Sequence, residues 1–123
     1  MLKLTFCLRR LPTLSLAEFQ DYWLNKHAPL VRSHAATMNM RRYVQNHALP
    51  ESASRALAAM RGAAGLHFDG VAELWWDDWA SFTAPGRTPE GQAAGLALLE
   101  DERNFIDLPR SPIFLVNEEV IFG

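Results

Sequence analysis

The amino-acid sequence predicts an α+β domain, a β-sheet with helices packed on one face. Three observations carry that expectation: an alternating apolar strand at the start of the chain, two helices opened by recognisable caps, and further strands rich in aromatic and β-branched residues. The 123 residues, 49% of them hydrophobic, suit one globular domain spanning 1–123, with no linker, repeat or low-complexity tract to divide it.

Leu2, Leu4, Phe6 and Leu8 alternate with Lys3, Thr5, Cys7 and Arg9, the period of a strand with one apolar face. After the turn "LPTLS", Ser15 and Glu18 fit a capping box, and Phe19, Trp23, Leu30 and His34 then share a helical face with His27 in the same sector. Pro29 lacks an N–H and disfavours helical angles at Ala28, so a kink or break is expected beside His27. "MNMRRYVQNHA" reads as a long second strand with Arg41, Tyr43, Gln45 and His47 on one side and Arg42, Val44 and Asn46 on the other. The stretch 49–66 reads as a loop with one short helix. "FDGVAELWW" is a third strand, in which Trp75 and Trp76 must point to opposite faces. Thr88, Pro89 and Glu90 supply an N-cap, a first-turn proline and a first-turn acid for the next helix, and "PIFLVNEEVIF" is a last strand, apolar on both faces. The order β-α-β-(short α)-β-α-β matches a ferredoxin-like β-α-β-β-α-β sandwich. Two main helices cover one sheet face, so the large apolar groups on the other predict a second copy of the chain, packed sheet against sheet.

A net charge of −2, with basic residues scattered rather than gathered in a stripe, argues against nucleic acid as a partner. Cys7 is the single cysteine, so no intrachain disulfide forms, and a reducing compartment is expected. No apolar run approaches the roughly 20 residues of a membrane span, and the N-terminus lacks the layout of a secretory signal. The expected setting is soluble and cytoplasmic.

Histidines are the natural carriers of chemistry near neutral pH. His27, on an apolar helix face beside a proline, is either a core histidine tied to a carbonyl or a general acid or base at the inner end of a pocket. His47 shares a strand face with Tyr43 and Gln45, which is either a solvated face or the wall of a polar pocket. His27 and His34 would lie about 10.5 Å apart along an unbroken helix, too far to share one metal ion, and the single cysteine removes the common thiolate sites. No nucleophile elbow, G-x-G-x-x-G or Walker loop occurs, so no metal, haem or flavin cofactor is predicted. Glu73, mid-strand, is either a proton partner or half of a salt bridge to strand two, and Asp107 is a further acid placed to orient a histidine.

"FCLRRLPTLSLAEFQDYWLNKHAPLV", "RYVQNH", "FDGVAELWWDD" and "DERNFIDLPRSPIFLVNEE", in that order, resemble the EthD family of dimeric α+β barrel proteins over nearly the whole chain. The resemblance implies a protomer that pairs through its sheet and a pocket between sheet and helices. It also implies proton-transfer chemistry on small organic, often cyclic, molecules without a bound cofactor, with histidines at the positions of His27 and His47. Two functions fit. One is a cofactor-independent lyase, isomerase or oxidoreductase-type enzyme in which His27 and His47 exchange protons with a hydrophobic, enolisable metabolite. Tyr43 would then hold a substrate oxygen, Trp23, Trp75 and Phe6 would form apolar walls, and Glu73 would assist. The other is a non-catalytic accessory or binding protein in an ether or aromatic degradation pathway, using the same pocket.

Overall fold

In the computed structural model, which describes residues 1–63 and 65–123, four strands form one antiparallel sheet. They are β1 (Leu2–Leu8), β2 (Arg42–His47), β3 (Gly70–Trp76) and β4 (Ile113–Asn117), in the spatial order β2-β3-β1-β4. This is the ferredoxin-like arrangement. The register places Leu4 between Leu74 and Leu115, and Phe6 between Ala72 and Ile113, so the expected alternation of β1 becomes the apolar inner face of the sheet.

The first helical stretch, residues 16–34, is built from α1 (Leu16–Tyr22), a π-helical turn (Trp23–His27) and α2 (Ala28–His34). Its capping box forms: Ser15 Oγ accepts from the Glu18 N–H at 3.1 Å, and the Glu18 carboxylate accepts from the Ser15 N–H at 2.9 Å. The break expected at Pro29 does not occur. A π turn lies there instead: the Ala28 N–H reaches back five residues to the Trp23 carbonyl, and helical angles continue through Ala28. Phe19, Trp23, His27 and Val31, at steps of four, are buried against the sheet.

The short helix expected within 49–66 is α3 (Glu51–Met60), which buries no side chain; Ala64, in the same stretch, lies outside the described residues. A further helix, α4 (Trp79–Thr83), capped by Asp78, and a 3₁₀ turn (Ala84–Arg87) were not apparent from periodicity because both are too short to show it. Thr88 caps α5 (Pro89–Glu102) as its side chain predicts, accepting from the Gly91 N–H at 3.0 Å. β2 begins only at Arg42, and β4 ends at Asn117, which leaves the exposed Val120, Ile121 and Phe122 outside the sheet.

Trp75 and Trp76 do face opposite ways. Trp76 joins the core, with its indole N–H donating to the Met38 carbonyl at 2.7 Å. The expectation that Trp75 needs cover from outside the chain is not met: it is only 6% exposed. Lys3 Nζ lies 5.0 Å and Arg42 Cζ 4.7 Å from its ring centroid, so cationic side chains from both flanking strands shield it. Phe114, on the same outer face, stays half-exposed.

Gly91 sets the junction between the 3₁₀ turn and α5, because a Cβ there would fall on the Pro85 carbonyl, whereas one on Gly86 would meet nothing. Gly91→Ala is expected to cost about 1–3 kcal/mol of stability by overpacking. Gly86→Ala should leave stability within about 0.5 kcal/mol of the parent. Urea unfolding of the two variants checks this, and equal midpoints would refute it.

Candidate functional site

A cavity of about 250 Å³ lies between the inner sheet face and the helices. Leu4, Phe6, Ala72, Leu74 and Trp76 form its sheet wall, Trp23, His27 and Val31 its wall on the first helical stretch, and Leu98 and Glu102 its wall on α5. Tyr43 reaches it from β2. Apart from two indoles, the lining side chains that carry polar groups are those of His27, Tyr43 and Glu102. Such a space, apolar with a few convergent polar groups, suits a small organic ligand.

His27 is 6% exposed, with its ring 5.0 Å from that of Phe105. Its Nδ1 lies 2.7 Å from Asp101 Oδ2, while Asp101 Oδ1 accepts from the Tyr22 hydroxyl at 2.7 Å. A carboxylate can only accept, so Nδ1 carries the imidazole proton and Nε2 presents a lone pair. Nε2 has no protein partner, and because no buried side-chain polar atom among the described residues lacks one, Nε2 is open rather than sealed. Burial lowers the pKa of His27, with Asp101 opposing it, so the ring is neutral at neutral pH. Burial works to raise the Asp101 carboxyl, but the bonds from Tyr22 and His27 outweigh it and keep Asp101 below its ordinary value.

Glu102 behaves in the opposite way. Burial, reinforced by the neighbouring negative charge of Asp101, raises its carboxyl to about 7. One cavity thus holds a neutral imidazole with a bare nitrogen and a carboxyl that is about half protonated at neutral pH, the pairing from which acid and base roles are assigned.

The structure does not bring the two candidate histidines into one cavity. His47 lies in a separate groove with Leu24, Ala28, Arg32, Tyr43 and Gln45, on the other side of Trp23, whose ring stacks on it at 4.6 Å. Tyr43 borders both spaces. Trp23 and Phe6, two of the three expected apolar walls, line the His27 cavity together with Tyr43, the expected holder of a substrate oxygen, but Trp75 and Glu73 do not: strand alternation turns both to the outer face. There Glu73 pairs with Lys3 and accepts from Asn46 at 2.8 Å, the salt-bridge alternative with a lysine of β1 in place of a strand-two arginine. Asp107 pairs with Arg110, and the acid that orients a histidine is Asp101. Among the described residues no group of three or more His, Cys, Asp or Glu stands close enough to hold a metal ion.

Asp101 and Glu102 were missed because "EDERNFIDL" reads as a solvated helix end. A signal existed: continuing the buried stripe Gly91, Ala94, Leu98 by steps of three and four reaches both acids and then Phe105.

Three solved structures share this architecture. An ethyl tert-butyl ether D (EthD) family protein from Bacillus halodurans C-125 superposes with a TM-score of 0.60 at 22% identity, over 97% of this chain and 100% of that one. A dimeric protein of ferredoxin-like fold from Bacteroides fragilis NCTC 9343 gives 0.58 at 10% identity, covering 95% of each chain. HapK from Hahella chejuensis gives 0.57 at 13%, over 100% of this chain and 96% of that one. At these identities the likeness establishes the fold alone. Compared with curated protein sequences, the chain has no significant match. The family model for the EthD domain matches residues 11–109, a span that includes His27, Tyr43, Asp101 and Glu102: the chain belongs to the EthD family.

Proposed function

We propose that the protein is a small acid–base enzyme that moves protons on a hydrophobic, enolisable substrate bound in the His27 cavity. The observation that carries this reading is the pairing in one apolar space of a histidine held by Asp101 with its bare nitrogen open and a carboxyl raised to about 7. His27 Nε2 takes a proton from the carbon beside a substrate carbonyl. That C–H bond breaks, the carbon–carbon double bond of an enolate forms, and the oxygen gains the negative charge. Tyr43 donates a hydrogen bond to that oxygen, and protonated Glu102 returns a proton at a second position, which completes an isomerisation or assists loss of a hydroxyl. Asp101 stabilises the imidazolium that forms on His27. None of these steps calls on a bound cofactor. A wider groove of about 580 Å³ adjoins the cavity through Val31, Met40 and Tyr43, which line both, and supplies a way in.

Deuterium incorporation from D₂O into 2-methylcyclohexanone, followed by NMR, tests the chemistry. His27→Gln should slow it by about 10²-fold or more with the fold intact. Unchanged incorporation in a folded His27→Gln protein would remove the catalytic reading and leave a binding protein. The rate should rise with pH as His27 loses its proton, below the ordinary histidine range, and fall as Glu102 loses its own near 7.

Stability carries the same signature. Because the fold raises the Glu102 carboxyl from 4.5 to about 7, its contribution is complete below pH 4.5 and is lost as pH rises through about 7. Glu102→Gln, neutral throughout, should lose that part of the decline in melting temperature, so the two proteins diverge across this window. Parallel profiles would show that Glu102 is not perturbed.

The protein is further proposed to work as a homodimer through the outer sheet face. The half-exposed Phe114, the unburied α3 with its exposed Leu57 and Met60, and the dimeric state of the Bacteroides fragilis protein of the same fold support this. Sedimentation should give a dimer at micromolar concentration, and a stable monomer would overturn the assignment.

A further inference from the structure

His47, left outside the cavity, is joined to it by a directed hydrogen-bond chain. Gln45 Nε2 donates to the Trp23 carbonyl at 2.8 Å and to the Tyr43 hydroxyl oxygen at 2.7 Å. The carbonyl can only accept, which fixes the nitrogen end of the Gln45 amide on this side and turns its oxygen toward His47. His47 Nε2 lies 2.7 Å from that oxygen and must therefore carry a proton. Tyr43, already accepting from Gln45, has its own O–H left to donate, and its side chain lines the cavity.

We infer that His47 is a positioning residue which, through Gln45, sets the Tyr43 hydroxyl as a hydrogen-bond donor into the cavity, so that the site selects ligands presenting a bare oxygen acceptor such as a ketone. This inference rests on the reading of the cavity as the substrate site. Its chemistry is unidirectional: every bond in the chain runs toward the acceptor, from His47 to the Gln45 oxygen and from the Gln45 nitrogen to Tyr43. The two histidines are consequently locked in opposite tautomers. His27, facing Asp101, holds its proton on Nδ1 and offers Nε2 as a base; His47, facing an amide oxygen, holds its proton on Nε2. The stack of Trp23 on His47 keeps the imidazole in the plane this requires.

Two measurements test it. Long-range ¹H–¹⁵N NMR of the unmodified protein above pH 7 should show Nε2–H for His47 and Nδ1–H for His27; an Nδ1–H tautomer at His47 would overturn the chain without any variant being made. Ligand selection is read with cyclohexanone and methylenecyclohexane, which share a shape but differ in the oxygen acceptor. The parent should prefer the ketone by about fivefold, the share of one hydrogen bond. Gln45→Glu, which replaces the donor on Tyr43 by an acceptor, should erase the preference while methylenecyclohexane still binds as before. His47→Phe, which keeps the stack and removes the N–H, should reduce it. Retention of the full preference in both variants, with Tyr43→Phe losing it, would reject the relay and leave the cavity reading standing. Failure of both probes to bind, or a preference that survives Tyr43→Phe, would reject the cavity reading itself and the relay with it.

Discussion

Trp23 packs closely on β3 because residue 70 has no side chain. A Cβ on Gly70 would stand 2.7 Å from Trp23 Cη2 and 3.0 Å from the Asn46 carbonyl, so the close approach of the first helical stretch to β3 depends on that glycine. Trp23 is 1% exposed, and its ring separates the His27 cavity from the His47 groove. Its carbonyl, inside the π turn, accepts both the Ala28 N–H and the Gln45 side chain, which ties helix geometry to strand polarity at one atom. One contact between a large ring and a missing side chain thus fixes the distance of helix from sheet, the partition of the polar groups and the anchor of the hydrogen-bond chain.

The second constraint is the cost of placing polar groups in an apolar space. A buried amide or imidazole without a partner is destabilising by a few kcal/mol, so each must be matched. His27, Asp101 and Tyr22 satisfy one another across two helices, with Asn104 adding a donor to the Tyr22 hydroxyl at 3.1 Å. Glu102, adjacent in sequence, has no cation to pair with in the cavity, and its carboxyl is raised to about 7. Two neighbouring acids therefore shift in opposite directions, because one accepts from Tyr22, His27 and Asn104 and the other is desolvated beside a negative charge.

The outer face obeys the same rule with different means. Lys3 and Arg42 set their cationic groups over Trp75, while Glu73 answers Lys3 and Asn46. Long basic side chains hide an indole that alternation alone assigns to an unprotected surface, leaving Phe114 as the large apolar group of that face still half-exposed.

Periodicity and capping chemistry by themselves determined the strands, the two main helices, the separation of Trp75 from Trp76, and the common face of Tyr43, Gln45 and His47, since each depends only on neighbours along the chain. His27 was legible as a residue on an apolar face beside an unusual backbone, and the π turn sits where Pro29 made a straight helix unfavourable. Its partner was not legible, because Asp101 is 74 residues away and meets it only when α5 docks beside the first helical stretch. Nor was the division between His27 and His47, which share a sequence region and a residue type but lie on either side of a ring whose depth is set by Gly70. Local rules decide which way a side chain faces; the docking of helix layer on sheet decides what it faces, and the chemistry of this cavity resides in that second choice.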